Sequence, residues 1–112
     1  MMNATNDISV SECVQLLQVG ATLLDVREDD EFEEGHAPGA LHIRMHEVPD
    51  CYEDLPRESV IVCVCRVGAR SARVAEYLAT QGFDARNLSG GMLAWVEARE
   101  PLESTGATAR II

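Results

Sequence analysis

The stretch SVIVCV-CRVGARS-ARVAEYL, residues 59–78, decides how this chain folds. Residues 59–64 are apolar and rich in β-branched side chains, which is typical of a buried parallel strand. Residues 72–78 have helical spacing, and Ser71 stands where a helix N-cap is expected, so the pattern predicts a helix over 71–81. A strand, a short loop and a helix in direct succession point backbone N–H groups and a helix N-terminus at one place, which favours an anion.

Cys65 stands at the end of the predicted strand, and its position predicts a nucleophilic thiol. A free thiol with a pKa near 8.5 is only about 3% thiolate at pH 7. The loop N–H groups, the helix N-terminus and the neighbouring Arg66 and Arg70 all favour the charged form. Because such a nucleophile is already ionised, no general base is expected to be needed.

The rest of the chain alternates between strand and helix patterns. Strands are expected at Ile8 and over 22–26, 41–43 and 83–88, and helices over 28–34, within 45–55 and from Met92. The first helix is predicted to begin at a capping box in which Ser9 and Glu12 are reciprocal partners. This alternation predicts one parallel sheet with helices on both faces. Functional residues of such sheets lie at the carboxyl ends of the strands, where Cys65 is placed.

Composition narrows the possible partners. The 112 residues carry a net charge of −10, which argues against nucleic acid or an anionic membrane as a partner. Against this background the cluster of Arg66, Arg70 and Arg73 is conspicuous; Arg73 is read as a surface residue or a docking contact. The sequence shows neither an apolar run long enough for a bilayer nor a signal-peptide pattern, so a cytoplasmic location is expected.

The other cysteines and the histidines have simpler interpretations. The four cysteines, at positions 13, 51, 63 and 65, are expected to be reduced. Cys63 shares a strand face with Cys65 and is read as a core residue, with a redox role as the alternative. His36 is expected to brace its turn. The His42–His46 spacing spans a strand end with no cysteine pair to complete it, so no metal is expected.

Four separated segments now carry a family resemblance. They are LDVR at 24–27 with the acidic helix after it, GHAPGA at 35–40, CRVGARS at 65–71, and LSGGM at 88–92 continuing to Trp95. In this order the chain resembles a single-domain rhodanese, of the thiosulfate sulfurtransferase family. The resemblance runs from about residue 9 to 102. It departs from the usual pattern at Arg44 and at Arg99-Glu100, which lie outside the cysteine loop.

The resemblance implies a three-layer α/β/α fold with a five-stranded parallel sheet in the order 3-2-4-5-1. It implies that Cys65 is catalytic and carries a sulfane sulfur as a persulfide, with no other cofactor. The donor would be a small anion such as thiosulfate, and the acceptor cyanide, a thiol or a protein. The substrate-binding residues would be those of the loop: Arg66, Val67, Gly68, Ala69, Arg70 and Ser71.

Two other functions fit parts of the pattern. A cysteine phosphatase or arsenate reductase has five residues between cysteine and arginine, whereas only four separate Cys65 from Arg70 here, and the smaller ring suits a single sulfur atom. A non-catalytic rhodanese-like interaction or regulatory module is the alternative from another class, although this chain keeps the cysteine and both arginines. Residues 1–102 are expected to form one domain, and residues 103–112 a loosely ordered tail.

Overall fold

A computed structural model describes residues 6–106 and 108–112, in which strands and helices alternate along the chain; residues 1–5, although part of the predicted domain, lie outside the described residues. The strands are β1 (Asp7–Ile8), β2 (Thr22–Asp25), β3 (Leu41–His42), β4 (Ile61–Val64) and β5 (Ala85–Leu88). The helices are α1 (Val10–Gln18), α2 (Asp29–Glu34), α3 (Val48–Cys51), α4 (Ala69–Thr80) and α5 (Gly91–Glu97). Short 3₁₀ turns, Met45–Glu47 and Tyr52–Asp54, flank α3.

The strands form one parallel sheet in the order β1-β5-β4-β2-β3, which is the predicted order 3-2-4-5-1 read from the other edge. The fold expected from the resemblance is therefore confirmed. Every residue of β4 is buried, because β4 lies between β2 and β5 and helices cover both of its faces. Such burial explains why the sequence of this strand is a continuous apolar run and does not alternate with polar residues.

Alternate residues of the central strands supply two separate cores. Leu24 and Cys63 face the cluster that contains Val74 and Leu78 of α4. Their sequence neighbours point to the opposite face, where a second cluster is built against α1 and α5. Cys65 belongs to the α4 side, so the end of β4 delivers its sulfur to the first turn of that helix.

The two predicted helix starts have different outcomes. The capping box of α1 is confirmed, because the Glu12 N–H donates to Ser9 Oγ at 3.1 Å and the Ser9 N–H to Glu12 Oε1 at 2.9 Å. Ser71 as the N-cap of α4 is wrong. The helix begins earlier, at Ala69, behind an N-cap Gly68 with φ +112°. Glycine adopts this left-handed conformation readily, so the N-cap lies three residues before the predicted Ser71.

Residues 103–106 and 108–112 follow the surface of α2 and the turn after it. Glu103 forms an isolated bridge with His36, and the Arg110 N–H donates to the Glu34 carbonyl at 2.9 Å. Ile111 packs against the second core cluster. The domain boundary after residue 102 and the loose order of the tail stay predictions. No helix of the described residues has the length and apolarity that a membrane crossing requires.

Candidate active site

The loop after β4 is held against the start of α5 by backbone hydrogen bonds. The N–H groups of Met92 and Leu93 donate to the carbonyls of Cys65 and Arg66, at 2.8 and 3.1 Å. A Cβ on Gly91 would lie only 2.5 Å from either of these carbonyl oxygens, and Gly91 has φ +60°. Only glycine permits this approach, so the Gly90-Gly91 pair fixes the position of the cysteine loop.

Three hydrogen-bond donors surround the sulfur of Cys65. The Gly68 N–H lies 3.1 Å from Sγ, the Ser71 N–H 3.4 Å and the Ser71 hydroxyl 3.3 Å. Cys65 is 1% exposed, and Ser71 is fully buried beneath it. The first turn of α4 therefore wraps around the sulfur with donors aimed inward, which suits an anion better than a neutral thiol.

These donors decide the ionisation of Cys65. Burial is the largest single influence and raises its pKa, but the Ser71 hydroxyl and N–H, with the N–H groups of Gly68 and Val67, together lower the pKa below that of an ordinary thiol. By contrast, burial raises the pKa of Cys63 to about 12 and that of Cys13 to about 11. Cys65 is thus the cysteine whose surroundings favour thiolate.

A buried polar network lies behind Ser71. The Ser71 hydroxyl donates to Asn87 Oδ1 at 2.6 Å, and Asn87 Nδ2 donates to Asp7 at 3.1 Å and to the Gly68 carbonyl at 3.3 Å. Because the two Asn87 donors face acceptors, its Oδ1 faces Ser71. The single hydroxyl hydrogen of Ser71 is shared between Asn87 and Cys65, and an ionised sulfur attracts it more strongly than a neutral one.

The end of β2 is braced by a buried ion pair. Arg27 and Asp25 are both fully buried and joined by a 2.8 Å contact. Arg27 Nη2 also donates to the Gly35 carbonyl at 2.7 Å, which ties β2 to the following turn. In the part of the chain that the structure describes, Arg27 Nη1 has no hydrogen-bond partner.

The turn at 35–40 is fixed by stacked rings. The rings of His36 and His42 both stack on the ring of Phe32, with centroid distances of 3.8 and 4.2 Å. His36 Nδ1 lies 2.7 Å from the Phe32 carbonyl, and its backbone N–H donates to Glu103. His36 therefore supports its turn, as expected. Among residues 6–106 and 108–112, no three metal-ligating side chains of the His, Cys, Asp and Glu types lie together.

The side chains of the two loop arginines hydrogen-bond to groups other than the sulfur of Cys65. Arg66 Nε donates to the Ile112 carbonyl at 2.9 Å. Arg70 pairs with Glu31 of α2 through two contacts, of 2.8 and 2.9 Å. Ala69 opens α4, and the Val67 side chain is 52% exposed at the rim. The structure thus brings the backbone of the loop, more than its arginine side chains, onto Cys65.

Sequence reasoning missed Glu31 and Asn87. Glu31 is one of several acids in the helix predicted over 28–34, and nothing local distinguishes it from its neighbours. Asn87 carried a usable signal, because it is an uncharged polar residue near the carboxyl end of a strand that ends beside the cysteine loop. Neighbouring parallel strands present their carboxyl ends together, so Asn87 was a candidate for this site.

Comparisons with known sequences agree with the geometry. The model of the rhodanese-like domain matches residues 9–98. YtwF of Bacillus subtilis, named as a candidate sulfurtransferase, is 47% identical over 79 residues, which cover 70% of this chain and 77% of that protein. The thiosulfate sulfurtransferase GlpE of Shewanella oneidensis is 31% identical over 99 residues, covering 87% of this chain and 98% of that protein.

Solved structures match the fold over most of the chain. A rhodanese-related protein from Thermoplasma volcanium has a TM-score of 0.82 at 26% identity, and the match covers 88% of this chain and 97% of that one. A rhodanese-like domain protein from Staphylococcus aureus has a TM-score of 0.75 at 33% identity, with coverage of 94% and 98%. Family model, relatives and architecture agree, and the chain belongs to the rhodanese family.

Proposed function

We propose that this protein is a sulfurtransferase in which Cys65 is the nucleophile and carries the transferred sulfur as a persulfide. The observation that supports this most strongly is the set of donors on Cys65 Sγ: the Gly68 N–H, the Ser71 N–H and the Ser71 hydroxyl. They favour a thiolate at neutral pH, and thiolate is the form that attacks sulfur. Relatives that are named sulfurtransferases support the same reaction class.

The reaction proceeds in two displacements. The Cys65 thiolate attacks the outer sulfur of thiosulfate, a new S–S bond forms, and the bond within thiosulfate breaks with its electron pair leaving on sulfite. A nucleophilic acceptor then attacks the terminal sulfur of the persulfide, and the Cys65 thiolate leaves. With cyanide the product is thiocyanate; with a thiol or a protein cysteine it is a new persulfide. Neither step requires a cofactor or an external oxidant.

Residues 66–71 form the proposed substrate-binding loop. Backbone N–H groups from Val67 to Ser71 would receive the negative charge of the terminal sulfur after loading, as they receive that of the thiolate before it. Gly68 adopts the left-handed conformation with which the loop closes around the sulfur. Arg66 would add positive charge for an anionic donor on an otherwise acidic protein, whereas the guanidinium of Arg70 is paired with Glu31.

Thiosulfate is the donor we propose, because GlpE relatives are named for it. Proposed acceptors are cyanide, a thiol or a protein. We propose a cytoplasmic location on the basis of the four free cysteines.

A coupled assay tests this function. Purified protein with thiosulfate and cyanide is expected to form thiocyanate, and Cys65→Ser is expected to abolish the reaction. Cys63→Ser is the matched control, because it removes a buried thiol from the same strand and should leave most of the rate. A mass gain of one sulfur atom after thiosulfate treatment would report the loaded state. Thiocyanate formation by Cys65→Ser would contradict the mechanism, and failure of every sulfane donor to load the protein would favour a binding module.

A further inference from the structure

Glu31 makes a contact that connects α2 directly to the cysteine loop. Its two carboxylate oxygens accept from Arg70 Nη1 at 2.8 Å and Arg70 Nη2 at 2.9 Å. Oε1 also accepts from the Glu28 backbone N–H at 3.0 Å. The Glu31 side chain is 16% exposed, which is the lower value of the two partners. The carboxylate is therefore fixed by three donors, and it holds the Arg70 guanidinium end-on.

Both partners are charged at any working pH. The hydrogen bond to Arg70 outweighs burial and lowers the pKa of Glu31 to about 2, and the pairing with Glu31 raises the pKa of Arg70. Because the two charges are opposite and adjacent, the Arg70–Glu31 pair presents little net charge to an anion at the donor site. The positive charge that the sequence offers through Arg70 is thus largely cancelled.

Arg66 differs from Arg70 in its partner. Its Nε donates to the main-chain oxygen of Ile112, and among the described residues no Asp or Glu side chain pairs with it. The loop presents about one positive charge to an incoming donor, although its sequence contains two arginines. Since Coulomb energy scales with the charge of the ligand, this loss weakens the binding of a doubly charged anion more than that of a singly charged one.

We propose that Glu31 is a specificity-determining residue that neutralises Arg70 and thereby shifts the donor preference of Cys65 from doubly charged towards singly charged sulfane donors. Organic thiosulfonates and ionised organic persulfides are donors of the second class. The inference rests on the proposed sulfur transfer through Cys65.

A matched pair of donors isolates the charge. Thiosulfate carries two negative charges, and methanethiosulfonate carries the same transferable sulfur with a methyl group in place of one charged oxygen. For a two-step mechanism, kcat/KM for the donor reports the loading step independently of the acceptor. The ratio of kcat/KM between the two donors is therefore the quantity to measure, at low and constant ionic strength.

Glu31→Gln is the informative variant. The amide keeps one oxygen acceptor but places an NH₂ group against Arg70 Nη2, so the pair opens and the charge of Arg70 is restored. We expect kcat/KM to rise about tenfold for thiosulfate and about threefold for methanethiosulfonate, because the interaction energy is proportional to donor charge. Glu33→Gln is the control: it removes the same charge from an exposed position on the same helix, and the donor ratio should stay within about twofold of wild type.

A second background shows whether the effect passes through Arg70. In Arg70→Ala, the change Glu31→Gln should shift the donor ratio by a smaller factor, since the carboxylate charge is still removed but no guanidinium remains to be released. Glu31→Asp keeps the charge but shortens the side chain by one methylene, and it should shift the ratio in the same direction by a smaller factor. This variant provides the test if Glu31→Gln does not fold.

The outcomes separate this inference from the proposed function. A fall in thiosulfate kcat/KM in Glu31→Gln, or an equal change for both donors, would overturn the specificity role and leave sulfur transfer intact. An equal shift in Glu33→Gln would also overturn it, because the effect would then be that of overall charge. If neither donor loads the wild-type protein, the proposed function fails and this inference fails with it.

Discussion

Cys63 and Cys65 are two residues apart, lie in the same core cluster and are both buried, yet their chemistry is opposite. Burial raises the pKa of Cys63 to about 12, since the neighbouring residues of β4 are apolar. Cys65 is equally removed from solvent, at 1% exposure, but its sulfur receives the Gly68 N–H and both donors of Ser71. The difference lies in the end of the strand. Within β4 the backbone N–H groups bond neighbouring strands, whereas beyond it they are free to turn towards a side chain.

A buried thiolate at Cys65 depends on the particular conformation of the loop that follows β4. A buried thiol is destabilised as an anion unless several donors replace the lost water. Gly68 supplies the left-handed turn that brings the N–H groups round, and Gly91 permits the close approach of α5 to the carbonyls of the same loop. Cys63 has no such surroundings, so its position in the core is enough to explain it.

The largest expected effect comes from Gly91→Ala. The new Cβ would meet the carbonyl oxygens of Cys65 and Arg66 at 2.5 Å, so the loop must shift. We expect a loss of about 2–4 kcal/mol in the free energy of unfolding and a strong fall in transfer activity. This change should remove the difference between the two cysteines, because it displaces Cys65 from its donors and leaves the surroundings of Cys63 intact.

Chemical denaturation and thiocyanate formation measure these two effects. Gly39→Ala is the control: Gly39 has φ +79°, and its added Cβ would have nothing within 4 Å. It should cost only the backbone strain, about 1 kcal/mol, with activity preserved. Equal losses of stability and activity in the two variants would show that the close approach of Gly91 to the loop carbonyls is not required.

Ser71→Ala should make the ionisation of Cys65 more like that of Cys63. The variant removes the hydroxyl donor at 3.3 Å and keeps the two N–H donors, so the pKa of Cys65 should rise. The pH dependence of alkylation by iodoacetamide reports this pKa. Ser59→Ala removes a hydroxyl at the opposite end of β4 from the loop, where it contacts Gly20 and Thr22, and should leave the alkylation profile unchanged. An unshifted profile in Ser71→Ala would assign the low pKa to the backbone donors alone.

The smallest expected effect concerns stability at acidic pH. Folding lowers the pKa of Glu31 to about 2, so the stabilisation from its pairing is present above the pKa of the unfolded carboxyl, about 4.3, and is lost as the pH falls towards 2. Because the pair is partly exposed and screened, we expect about 1 kcal/mol. Denaturation of wild type and Glu31→Gln between pH 2 and 6 measures it.

In Glu31→Gln this acid-dependent part of the curve should flatten, and Glu33→Gln should retain it. The result would sharpen the comparison between the cysteines, because the lost contact belongs to the first turn of α4, beside Cys65. A wild-type curve identical to that of Glu31→Gln over this range would remove the pair from the account of stability.

The sequence predicted the sheet and the position of Cys65 at the end of its central strand because both depend on local patterns. An apolar strand followed by a glycine-containing loop and a helix is readable from residues 59–78, and strand order followed from the family resemblance. The predicted N-cap at Ser71 was wrong because a serine can cap a helix or, as here, donate its hydroxyl to a sulfur. The helix begins earlier because the backbone at Gly68 is left-handed, which the serine itself does not reveal. Glu31 and Asn87 could not be paired with the loop, since their contacts join residues 39 and 16 positions apart through tertiary structure.

The most direct test of the central claim is to locate the transferred sulfur. The protein is treated with thiosulfate, freed of excess reagent, alkylated and digested with trypsin, which yields one peptide, residues 58–66, containing both Cys63 and Cys65. Fragmentation between the two cysteines assigns the additional sulfur atom. We predict that it is attached to Cys65, with Cys63 unmodified. Additional sulfur on Cys63, or none on this peptide in protein that forms thiocyanate, would contradict the claim that the donors at the end of β4 create the reactive thiol.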